Sequence, residues 1–116
     1  MQVFRLFLIV VLLVNIGYTA VTISNHGIHL LPVFFGDIAR MDWPGQFNMD
    51  FSSFLLLSGL WTAWRNGFSA SGLALAVVAA LGGILFLATY LLVLSYTCGG
   101  DIRVMMLGKQ AAHVSP

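Results

Sequence analysis

The side chains best suited to metal or proton chemistry in this sequence are His26, His29, Asp37, Asp42 and Asp50. Imidazole nitrogens and carboxylate oxygens are ordinary zinc ligands, and an imidazole beside a carboxylate makes a contact that responds to protonation near neutral pH. The spacing defines no metal site, however. A histidine pair three residues apart can share a helix face, but no third ligand stands at a fixed offset as in H-E-x-x-H. The expectation is therefore no metal and no cofactor. The histidines either bond to water and headgroups at an interface, or reach Asp37, Asp42 or Asp50 directly or through one water. Haem held between helices would need histidines deeper in the apolar runs, and none is there. Nucleophile sets are also missing: Ser52, Ser53 and Ser58 lack a histidine in sequence context, no G-x-S-x-G elbow occurs, and Cys98 falls at a helix end. These absences lead to the expectation of a protein that is not an enzyme.

Asn15, Thr19, Thr22, His26 and His29 recur at spacings of four and three, which makes one side of a helix polar from its middle to its outer end. Two uses fit such a line. It can hydrogen-bond to neighbouring helices, or it can line a wet cleft that opens toward Asp50. A second pattern is made of small residues. Gly72, Ala76, Ala79 and Gly83 share one helix face, and Gly59 and Ala63 form a small-xxx-small pair on another. The two faces either meet within one chain or offer a groove to a partner.

The elements that must carry these patterns are apolar helices. Of 116 residues, 59% are hydrophobic and 8% charged, far from the roughly one-quarter charged residues of soluble domains. A formal net charge of +1 from scattered Lys and Arg gives no electrostatic footprint for nucleic acid. Cys98 is the single cysteine, so neither an intrachain disulfide nor a cysteine zinc cluster can form.

Three apolar runs predict three transmembrane helices near 6–24, 47–64 and 72–96 in one integral membrane domain covering 1–116. A cleaved signal is the alternative reading of the first run, but Tyr18 stands where a small residue is wanted. In the second run Asp50 suits a helix N-terminus, and Trp61, Trp64 and Arg65 suit an interface, with Arg65 snorkelling. Asp50 could otherwise couple protons or substrate, although small multidrug carriers place their acid deeper in a span. A tight turn over 66–71 predicts an antiparallel hairpin of the last two spans. The connection 25–46 is expected to lie on the membrane surface or re-enter it. In it, Pro32 starts a short helix carrying Val33, Phe34, Ile38 and Met41, and Trp43, Pro44 and Gly45 make a turn. Beyond the third run, Gly99 and Gly100 stop the helix. Within the tail 98–116, 101–107 forms a brief turn with Ile102, Met105 and Met106 toward lipid, and residues from Gln110 onward fray. Three crossings set Arg5 and Arg65 against Arg40, Arg103 and Lys109, nearly a tie, with a lean toward a cytoplasmic amino terminus.

The stretch PVFFGDIARMDWPGQFNMDF, running into LLLSGLWTAWRN and followed by GGILFLATYLLVLS, resembles a group of small three-span bacterial inner-membrane proteins of unknown function. The resemblance covers nearly the whole chain and implies that membrane and a three-helix architecture, but no activity or site residues. The expected function is an accessory or assembly subunit that packs against a larger membrane protein or a second copy. The alternative is a small oligomeric transporter or ligand carrier with a polar cleft around Asn15, Thr19, His26 and Asp50.

Overall fold

The first apolar run has no helix breaker but Gly17, and it coils into α1, Gln2–His26, ending where Gly27 turns to φ 76. The computed structural model describes residues 1–113, and over them the chain forms helices and the turns between them. Val114, Ser115 and Pro116, part of the segment expected to fray, lie outside the described residues.

Pro32 falls in the first turn of α2, Leu30–Arg40, where its missing N–H costs no helical bond. Met41 ends that helix in the left-handed region at φ 54 and ψ 42, so it is the cap and not a face residue. Helix α3 runs Trp43–Arg65 and starts four residues before its expected beginning at 47. Trp43, Pro44 and Gly45 are its first turn, not a loop, because the Asp42 carboxylate caps it by accepting from Gly45 N at 3.3 Å. Asp50 is therefore interior to α3 and does not begin it. Helix α2 returns along α3 as an antiparallel partner: Asn48 Nδ2 donates to Phe34 O at 3.1 Å, and Gly45 sits against the Asp37 carbonyl and Ile38.

The polar turn after Arg65 holds Gly67 and Phe68 at positive φ, and Ser69 caps α4, Ala70–Thr97, by accepting from Gly72 N at 3.1 Å. Helices α3 and α4 form the expected hairpin through their small residues. A Cβ on Gly59 would stand 3.1 Å from Ala76 O, Ala63 is nearly buried, and Ala79 is completely buried. The faces of Gly59, Ala63, Gly72, Ala76 and Ala79 thus meet inside the chain, the first of the two outcomes their spacing allows.

The expected single rod over 72–96 is broken. Gly83 leaves helical conformation at φ 57 and ψ −138, a combination open essentially to glycine alone. The two halves of α4 then lie side by side. A straight helix would carry Tyr90 roughly 27 Å from Gly72 at 1.5 Å per residue. Yet Asn66, whose Cβ a methyl on Gly72 would touch, donates from Nδ2 to Tyr90 Oη at 2.9 Å. Phe86 and Tyr90 stack at 5.2 Å, and Tyr90 meets Trp61 edge-on at 5.9 Å, so the returning half climbs back along α3.

Gly99 and Gly100, both at positive φ, end α4, and Asp101 caps α5, Ile102–Leu107, by accepting from the amides of Arg103 and Val104. A 3-10 turn, Gly108–His113, follows. By length and composition alone, two helices among the described residues, α1 and α4, are long and apolar enough to cross a membrane, although the break at Gly83 divides α4 into two shorter halves. Helix α3 has 23 residues but carries Gln46, Asn48 and Asp50 in its first half, and it does not meet that standard.

Candidate functional site

Two places concentrate polar side chains, one at each end of the helical body. At the end where α1 begins and α4 terminates, Arg65 is the hub. It was expected to snorkel, but it is only 8% exposed. Its Nε donates to Met105 O at 2.5 Å and Nη2 to Val104 O at 3.2 Å, while Nη1 reaches Tyr90 Oη at 3.4 Å and Nη2 reaches Cys98 Sγ at 3.6 Å. The cause lies in α5. Met105 O and Met106 O fall in the last turn of this six-residue helix, where carbonyls lack helical partners. Arg65 Nε and Trp61 Nε1, the latter at 2.9 Å, supply donors to them, and Arg65 Nη2 adds a second donor to Val104 O, which already accepts from Gly108 N. Met105 is 1% exposed beneath this contact, not lipid-facing as expected. Gln110, expected to fray, donates to Trp64 O at 3.0 Å. All three guanidinium nitrogens of Arg65 thus have partners within the chain.

Arg5 is anchored at the same end. It donates through Nε to Ser95 Oγ at 2.9 Å and through Nη2 to Ser95 O at 2.6 Å, with its Cζ 4.0 Å above the Tyr96 ring. Arg5 therefore ties α1 to the end of α4, and Arg65 ties α3 to α5 and the end of α4. Thr19 lies roughly 21 Å along α1 from Arg5, and Asp50 roughly 22 Å along α3 from Arg65, at 1.5 Å per residue.

The other end holds the residues with metal or proton chemistry, and the structure does not assemble them. Asp37 and Asp42 pair with Arg40, and Asp42 also caps α3. His26 and His29 are exposed and make no side-chain hydrogen bond or ion pair among the described residues, so the expected imidazole–carboxylate contact is not made directly. No group of three potential ligands is close enough to hold a metal ion among the described residues. Asp50 is exposed and has no partner among them.

The polar line of α1 binds neither α3 nor α4. Asn15 Nδ2 donates to its own Val11 O at 2.8 Å and Thr22 Oγ1 to Tyr18 O at 2.9 Å, the backbone bonds that short polar side chains make within a helix. Thr19 is exposed without a partner among the described residues, and every residue from Ile16 to His26 is exposed. On α3, Gln46, Asp50 and Ser53 form a second exposed polar stripe at helical spacing. Neither of two cavities along α3 includes Asn15, Thr19, His26 or Asp50. One, of about 360 Å³, lies between Ile38, Asp42, Gly45 and Met49. The other, of about 220 Å³, lies where α4 breaks, between Phe51, Leu55, Ser58, Gly83 and Leu87, and Ser58 Oγ is buried there without a hydrogen-bond partner among the described residues.

Sequence reasoning missed Arg65 as a hub, Tyr90, and Gly83 as a break. An adjacent pair, Gly82 and Gly83, in the middle of a long apolar run was the available signal, since paired glycines are a recognised cause of sharp kinks. No protein family, curated protein or solved structure matches the chain. What fold and site define together is an all-helical protein with two helices long and apolar enough to cross a membrane.

Proposed function

We propose that the chain is a non-enzymatic accessory or assembly subunit of a bacterial inner membrane, and that α1 is the helix it offers to a protein partner. The observation that carries this reading is the exposure of α1 from Ile16 to His26 on every side, polar line included. Lipid satisfies an apolar helix surface but not Thr19, so a span left this bare is suited to a partner helix. The small-residue faces are already occupied by each other, and the cation hub is fully bonded, so neither competes as the contact surface.

In this reading α1 crosses, α3 crosses although the polar residues of its first half keep it from meeting that standard, and α4, apolar enough but broken at Gly83, enters and leaves on one face as a re-entrant hairpin. Backbone freed by such a break is tolerated at membrane depth where protein covers it. The fold-back supports a cytoplasmic amino terminus. Arg5, Arg65, Arg103 and Lys109 come to one end, leaving Arg40 beside Asp37 and Asp42 at the other. The positive-inside rule then sets the start of α1, α5 and the 3-10 turn in the cytoplasm. The bacterial assignment rests on the sequence resemblance.

The test is purification from membranes in mild detergent, combined with labelling of intact cells by a membrane-impermeant maleimide on a Cys98→Ser background. A protein partner in fixed ratio, labelling of Met41→Cys and protection of Lys109→Cys are expected. A lone monomer in every detergent tried would remove the subunit reading, and labelling of Lys109→Cys from outside would remove the topology.

A further inference from the structure

We draw no further inference here: the strongest candidate, the cavity of about 220 Å³ where α4 breaks at Gly83, lined by Phe51, Leu55 and Leu87 beside the buried Ser58 hydroxyl, is an apolar groove, and nothing in the structure shows what covers it.

Discussion

Asn66 Nδ2 donates to Tyr90 Oη at 2.9 Å, although Asn66 also abuts the first turn of α4 and Tyr90 lies in its returning half. Only a reversal near the middle of α4 allows both contacts, and the same reversal brings Cys98, α5 and the 3-10 turn to Arg65. The fold-back therefore governs which charges share a face and which surfaces remain open.

The reversal is measurable as a distance. Spin labels at Ser71→Cys and Thr97→Cys, both exposed positions, with Cys98→Ser, would be roughly 39 Å apart on a straight helix. Packed helices have axes about 8–10 Å apart, so a distance distribution centred below about 20 Å is expected. A peak near the straight-helix value would mean that α4 is a single rod.

At Gly83 the backbone conformation itself excludes a side chain. Alanine there would have to hold φ 57 with ψ −138, and its Cβ would also meet Phe51 Cζ at 3.0 Å. Gly83→Ala is expected to destabilise the fold by about 1–3 kcal/mol, the cost of a strained backbone position. Adding Phe51→Ala should not restore it, because the larger part of the strain lies in the backbone. Thermal unfolding in detergent checks both; full recovery in the double variant would show that steric contact alone was at work.

Much of this architecture was legible because it follows from local chemistry. The unbroken apolar sequence of α1, Pro32 at the start of α2, the hairpin turn before Ser69, and Gly99–Gly100 after α4 all announce themselves by residue type. Asp42 was legible as an acidic residue but not as the cap of α3, since Asp50 fits the same role by composition. The pairing of Gly59 and Ala63 with Gly72, Ala76 and Ala79 could be read as one of two outcomes. The break at Gly83 was hidden by its membership of that small face. Arg65 was hidden for another reason: a cation at a helix end ordinarily reaches for water, and only the return of α4 sets unpaired α5 carbonyls within its reach.

The docking of α2 depends on Gly45. A Cβ there would overlap the Asp37 carbonyl and stand 3.0 Å from Ile38 Cα, atoms of backbone that cannot move aside separately. Gly45→Ala is expected to separate α2 from α3 and lengthen or break the Asn48–Phe34 bond. Amide hydrogen exchange should rise across Leu30–Arg40 and remain unchanged in α4. Unaltered protection in α2 would show that the helix pair tolerates the added methyl.

Arg65 offers the sharpest separation of charge from geometry. Lysine preserves the positive charge but has one ammonium in place of the fork that spans Met105 O, Val104 O and Tyr90 Oη. Each lost hydrogen bond from a charged group to a buried carbonyl is worth about 1.5–3 kcal/mol, enough to release a segment as short as α5 and the 3-10 turn. Arg65→Lys is therefore expected to loosen the backbone around the already exposed Arg103 and Lys109, with tryptic cleavage there at least about tenfold faster than in the unaltered chain, a factor equal to about 1.4 kcal/mol of local opening when reclosing outpaces cleavage. A methyl on Gly108 should act on the same contact from the other side, since its Cβ would come within 2.6 Å of Arg65 Cγ. If cleavage accelerates in Gly108→Ala but not in Arg65→Lys, the left-handed backbone of Gly108 and its close approach to Arg65, rather than the guanidinium bonds, hold the segment. If it accelerates in neither, the segment is held by other contacts, such as Trp61 Nε1 on Met106 O and Gln110 on Trp64 O.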